Sequence, residues 1–139
     1  MAADELFVDT SAWYALAVRN DASHDAVVHA LRRMMRGNRR LVTTNLVIAE
    51  THALLMRRVH RRAALAFLEA VVKPPHVIVS STPEREARAQ HDWLAPYQDH
   101  DFSFTDAVSF AVMSERRIRS ALTLDGHFRA AGFTMVPAA

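Results

Sequence analysis

The chain has 139 residues, half of them hydrophobic and 23% charged, the composition of one globular domain with a proper core. Its 17 basic and 15 acidic side chains leave a formal charge of +2, and there is no cysteine, which excludes disulfides, thiolate-bound zinc, iron–sulfur clusters and thiol catalysis. No stretch reaches the ~20 apolar residues of a membrane span, and the acidic start Met1-Ala2-Ala3-Asp4-Glu5 is unlike a signal peptide. A cytoplasmic protein with no membrane attachment is expected.

Leu6-Phe7-Val8-Asp9 is an apolar run closed by an acid, a strand that passes into a helix carrying Ala12, Trp13, Leu16 and Ala17. A second helix is predicted from Ser23 to about Arg36, ended by Gly37-Asn38, and a strand over Arg40-Leu41-Val42-Thr43. Thr44 or Asn45 can cap a third helix, Leu46 to about Val59, and a fourth runs from Ala63 to Val72, where Pro74-Pro75 stops it. His76 to Ser80 reads as a buried strand, and Thr82-Pro83-Glu84 starts another helix. The remaining elements are a helix from Ser103 to about Arg117, a strand Ala121 to Leu124, a short helix Gly126 to Ala131 and a last strand Phe133 to Val136. Alternating strands and helices predict an α/β fold with a parallel sheet of about five strands and helices on both faces.

In such a sheet the functional crevice opens at the carboxyl ends of the strands. Asp9 and Asp125 both fall there, although each also has a purely structural reading, as a helix N-cap and as an Asp-Gly turn. Glu50 has Leu46, Val47, Ala53 and Leu54 at helical spacing, so its carboxylate is expected to emerge from an apolar face and to need a cation, an arginine or a metal. Asp106 closes Ser103-Phe104-Thr105-Asp106, which has the form of a capping box. Between Arg32 and Arg62 there are nine arginines and one acid, Glu50, an asymmetry that points to a polyanion partner. Arg57-Arg58 and Arg61-Arg62 are either a solvated face or RNA contacts, and Trp13 and Tyr14 either stack on bases or pack in the core or a dimer. No His-Glu-x-x-His occurs, so zinc hydrolysis has no support.

Taken in order, Val8-Asp9-Thr10-Ser11-Ala12, Asn45-Leu46-Val47-Ile48-Ala49-Glu50, Ser103-Phe104-Thr105-Asp106-Ala107-Val108-Ser109-Phe110 and Leu122-Thr123-Leu124-Asp125-Gly126-His127-Phe128 resemble the four acidic motifs of the PIN-domain family. The length resembles that of VapC-type toxins of bacterial toxin–antitoxin pairs. The resemblance implies a three-layer α/β/α fold over a single domain, 1–139. It implies Asp9 and Asp106 as principal ligands of Mg²⁺ or Mn²⁺, with Glu50 and Asp125 completing the pocket as second-site ligands or by orienting water. Thr10, Ser11 and Thr105, beside these acids, would hold a carboxylate or a substrate oxygen. Many members carry a further acid two residues after the fourth; here that position is His127, expected to be an ordinary surface residue rather than a phosphate contact.

The function so implied is a metal-dependent endoribonuclease toxin that hydrolyses a loop of structured RNA, tRNA or rRNA, to 5′-phosphate and 3′-hydroxyl ends. A homodimer and a VapB-like antitoxin would be its protein partners. The chemistry agrees: hard divalent ions take carboxylate oxygen, and the arginine-rich segment is expected to flank the pocket and meet the RNA backbone. The alternative is a noncatalytic RNA-binding module on the same fold, disfavoured because such a module has no catalytic need for all four acids. A receiver or phosphoryl-transfer domain lacks its own marks here, since there is no Gly-rich nucleotide loop.

Overall fold

Leu6, Phe7 and Val8 have no exposed surface, because their strand is the middle one of a sheet covered on both faces, where no polar alternation is needed. In the computed structural model, which describes residues 4–138, this strand β1 (Glu5–Val8) is flanked by β2 (Arg40–Thr44) and β4 (Ser120–Leu122). The order is β3-β2-β1-β4-β5, with β3 at Val77–Val79 and β5 at Thr134–Val136, and every pairing is parallel. Phe7 lies level with Val42 on one side and Ala121 on the other. Met1, Ala2 and Ala3 of the acidic N-terminus, and Ala139, lie outside the described residues.

Helices α1 (Thr10–Ala17) and α2 (His24–Met34) connect β1 to β2, and α3 (Asn45–Arg58) and α4 (Arg61–Val71) connect β2 to β3. The chain returns across the sheet through α5 (Pro83–Arg88), a π-helical segment Ala89–Leu94 and α6 (Phe104–Arg116) to β4, and α7 (His127–Ala130) leads to β5. Helices α1, α3 and α4 pack together, and α5, the π-helical segment, α6 and α7 form a second group around α6. This is the expected three-layer arrangement. The order of strands reverses between β1 and β4, and that reversal opens a crevice at their carboxyl ends.

Every residue of α6 from Asp106 to Met113 is buried, so after its exposed first residue, Phe104, and half-buried Thr105, this helix has no solvent face for eight residues. Phe110 is its centre, with the rings of Phe102 and Phe128 edge-on at 5.0 Å and those of Trp93 and Phe133 at 5.3 and 5.6 Å. Trp13 is buried as well; its ring meets Phe67 and His76 edge-on at 5.7 Å, and Nε1 donates to Thr43 Oγ1 at 3.3 Å. It belongs to the core and does not stack on bases. Tyr14 is half-buried, with the Arg58 guanidinium 5.9 Å from its ring centre.

Two expectations about strands need correction, and one about a helix is met. The third strand is short and half-exposed, with Ile78 37% exposed, because it is an edge strand with a neighbour on one side only. The helix expected to start at Thr82-Pro83-Glu84 does so, the Thr82 side chain capping Arg85 N, and it runs on into the π-helical turn. The strand expected to reach Leu124 ends at Leu122, because Thr123 turns its hydroxyl toward Asp9.

The nine arginines between Arg32 and Arg62 do not form one run in the fold: five stand between the last turn of α2 and the start of β2, and four between the end of α3 and the start of α4. Helix α2 ends, and β2 begins, at the amino edge of the sheet. Helix α3 starts at the carboxyl edge and runs for 14 residues, about 21 Å, so Arg57, Arg58, Arg61 and Arg62 stand at its far end and the start of α4, with the Arg58 guanidinium against the Tyr14 ring of α1. At the amino edge Glu5 accepts from Arg116 through both carboxylate oxygens, at 2.9 and 2.8 Å, and from Arg40 at 2.8 Å. The Arg116 bonds chiefly hold the Glu5 carboxyl below its ordinary range.

Candidate metal centre

Asp9 follows β1 and occupies the N-cap of α1, but its side chain does not cap the helix. Its carbonyl takes that part, accepting from Ala12 N and Trp13 N, while its own N–H continues the sheet by donating to the Leu122 carbonyl at 3.1 Å. The carboxylate is therefore free to turn into the crevice. There Oδ2 accepts from the Thr123 hydroxyl at 3.0 Å and from the Ser11 hydroxyl at 3.2 Å. Burial first, with the Asp106 and Asp125 charges adding to it, pushes the Asp9 carboxyl up to about 7, bonds from the Thr10 backbone and Thr123 only partly opposing them.

Thr123, fully buried, ties the second acid to the first. Its oxygen accepts from Asp125 N at 3.0 Å while its proton goes to Asp9. Asp125 does form the turn that its Asp-Gly sequence suggests, with Oδ1 accepting from His127 N at 2.9 Å. The turn reading and the site reading hold together. Asp106 likewise does two things: Ser103 and Asp106 form the complete capping box, with Asp106 N donating to Ser103 Oγ at 3.0 Å and Ser103 N donating to Asp106 Oδ2 at 3.2 Å. The box locks the rotamer that aims this carboxylate at the crevice.

His127 is not an ordinary surface residue. Its Nδ1 lies 3.0 Å from Asp106 Oδ2 and 3.5 Å from Asp125 Oδ1, and the Asp106 bond first, then the nearby carboxylate charges, hold the imidazole above its usual range. Asp106, Asp125 and His127 each present a donor atom within 4.8 Å of the others. Among the described residues none of Asp9, Asp106 and Asp125 is paired with an arginine or lysine. Converging carboxylates from three elements, Asp9 and Asp106 buried and none of the three paired with an arginine or lysine among the described residues, fit a hard divalent ion.

Glu50 behaves otherwise than its apolar neighbours suggest. It is exposed and makes no ion pair among the described residues, because the buried line of α3 is Val47, Thr51 and Leu55, with Thr51 donating to the Val47 carbonyl at 2.8 Å. Ala53 is exposed and Leu46 and Leu54 are half-exposed, so Glu50 looks out beside that line. Of the hydroxyl residues, Ser11 joins the network, accepting from Leu124 N at 2.9 Å as well as meeting Asp9. Thr10 is buried with its Oγ1 unpartnered, and Thr105 is half-buried, its carbonyl accepting from Ser109 Oγ. Thr123 escaped the sequence reading, although a lone hydroxyl in the apolar run Leu122-Thr123-Leu124 marked it; His127 had the signal of standing where an acid is common.

A PIN domain model matches residues 6–134. The chain is 40% identical over 136 residues to the 23S rRNA-specific endonuclease VapC20 of Mycobacterium tuberculosis, in both strain CDC 1551 / Oshkosh and strain ATCC 25618 / H37Rv, covering 94% of this chain and 97% of that protein. The crystal structure of Mycobacterium tuberculosis VapC20, described as a sarcin–ricin loop cleaving toxin, superimposes with a TM-score of 0.85 at 36% identity, over 93% of this chain and 96% of that one. VapBC2 from Rickettsia felis, bound to a DNA fragment from its promoter, matches with a TM-score of 0.67 at 9% identity, covering 94% and 96%, a likeness of fold alone.

Proposed function

Because the chain belongs to the PIN domain family, we propose that it is a metal-dependent endoribonuclease, the toxin of a type II toxin–antitoxin pair. It hydrolyses a phosphodiester bond in a loop of structured RNA and leaves 5′-phosphate and 3′-hydroxyl ends. The 40% identity to a 23S rRNA-specific endonuclease over nearly the whole of both chains favours a 23S rRNA loop as the substrate. The observation that carries the reading is Asp9: a buried carboxyl at about 7, on a central strand end, facing two further carboxylates. A fold without a cation to hold has no use for that arrangement.

Asp9 and Asp106 are the principal ligands, Asp125 completes the set, and Mg²⁺ or Mn²⁺ is the ion. When bound, the ion supplies Lewis acidity to the scissile phosphate, a more acidic attacking water and a local charge that attracts phosphate. The chain's own residues provide position. The Thr123 and Ser11 hydroxyls hold Asp9 Oδ2, the capping box holds Asp106, and Glu50, on the exposed side of α3, orients water from outside the buried cluster. The protein works in the cytoplasm, where its RNA is, as a homodimer and under an antitoxin; that no helix among the described residues can cross a membrane agrees with this.

The test is cleavage of an RNA hairpin carrying the sarcin–ricin loop, with 5′ ends mapped, by wild type, Asp9→Asn and Asp106→Asn. Cleavage at one position by wild type with Mg²⁺ or Mn²⁺, and none by either folded variant, is expected. Full metal-dependent cleavage by both variants would overturn the assignment.

A further inference from the structure

We infer that His127 is itself a ligand of the divalent ion, through Nδ1, and that this nitrogen shifts the centre's preference from Mg²⁺ to Mn²⁺. The inference rests on reading the acid cluster as a metal centre. Neighbouring donors on an octahedral ion with bonds of about 2.1 Å stand about 3.0 Å apart, the bond length times the square root of two. His127 Nδ1 is 3.0 Å from Asp106 Oδ2, that separation, and 3.5 Å from Asp125 Oδ1, half an ångström beyond it, and all three residues offer a ligand atom within 4.8 Å of the others.

The imidazole is also placed from behind. His127 begins α7, its backbone N–H is anchored on Asp125 Oδ1 at 2.9 Å, and its ring meets Phe102 edge-on at 5.3 Å. Phe102 is buried and held in turn by Phe110 at 5.0 Å. The Nδ1 edge is thereby turned to the two carboxylates. A mobile surface histidine would have none of these supports. Mg²⁺ demands oxygen and gives up water reluctantly, whereas Mn²⁺, also octahedral and divalent, accepts an imidazole nitrogen beside carboxylates.

The experiment loads the purified full chain with Mn²⁺ and reads nitrogen coupling by pulsed electron paramagnetic resonance, then measures Mn²⁺ and Mg²⁺ affinities by calorimetry. Wild type should show one directly coordinated ¹⁴N, a measurement that needs no variant. His127→Ala should lose the coupling, and His127→Asp should lower the Mn²⁺-to-Mg²⁺ affinity ratio by about tenfold or more. Bound Mn²⁺ with no coordinated nitrogen, or a ratio unchanged in His127→Asp, overturns the inference: His127 would then only pair with Asp106. Wild type that binds no divalent ion overturns both this and the metal-centre reading, while a coordinated nitrogen without RNA cleavage under any metal sustains the ligand and overturns the nuclease.

Discussion

The Thr123 hydroxyl donates to Asp9 Oδ2 at 3.0 Å across 114 positions of the chain, and the same oxygen accepts from Asp125 N. One buried oxygen therefore links two of the three clustered carboxylates. Thr123→Val keeps the volume and deletes both bonds, leaving a buried carboxyl and a backbone N–H short of a partner. A stability loss of about 1–3 kcal/mol is expected in urea unfolding, with a fall in RNA cleavage beyond what the fraction unfolded explains. Thr123→Ser should retain both properties.

The chelated protein should lose stability as pH rises. Asp9 moves from an ordinary 3.8 to about 7 in the fold, so between those values the folded chain binds the extra proton, and protonation favours folding. The stabilisation is full below the unfolded value and is lost as pH climbs through about 7, by up to roughly 4 kcal/mol for the whole shift. His127 acts in the same direction, since its folded pKa is raised, chiefly by Asp106. Calorimetric melting with chelator is expected to give a lower Tm at pH 8 than at pH 6. Added Mn²⁺ should raise Tm most at pH 8, and Asp9→Asn should flatten the pH profile.

Glu50→Gln separates a structural carboxylate from a functional one. An exposed side chain with no ion pair contributes within about 0.5 kcal/mol to stability, so the melting curve should not move. Cleavage should fall, but less than in Asp9→Asn, which removes a buried ligand. A marked loss of stability in Glu50→Gln would restore the buried salt bridge that its apolar neighbours suggest.

The arginine-rich segment yields a prediction by its position. Arg57, Arg58, Arg61 and Arg62 are exposed, at the far end of α3 from the crevice and the start of α4. Replacing all four with Ala should leave the cleavage rate of a short hairpin unchanged at fixed salt. A drop comparable to that of Asp106→Asn would place them against the scissile loop.

The order of strands and helices was legible because central strands in a covered sheet are unbroken apolar runs, and because Thr44, Thr82 and Ser103 mark helix starts by capping them. Asp9, Asp106 and Asp125 were legible as acids at strand ends or in a cap. Glu50 was misjudged because apolar neighbours on a helix do not say how deeply its face sinks; Ala53 is exposed and Leu54 half-exposed. The arginines are not placed by the sequence for a different reason: nearness in sequence says nothing about which edge of the sheet a returning helix reaches. His127 and Thr123 depend on a meeting of α6, β1 and the turn after β4, which only the closed sheet brings about.

The Asp9 N–H to Leu122 carbonyl bond also has a meaning in time. The carboxylate cluster exists only once β4 has docked beside β1, because Asp125 follows β4 and lies 116 positions after Asp9. A chain in which β4 has not yet paired holds Asp9 and Asp106 without the turn that completes them. The centre is thus among the last things folding makes: β1 and α6 can each form on their own, but their carboxylates have no third partner until the sheet has closed.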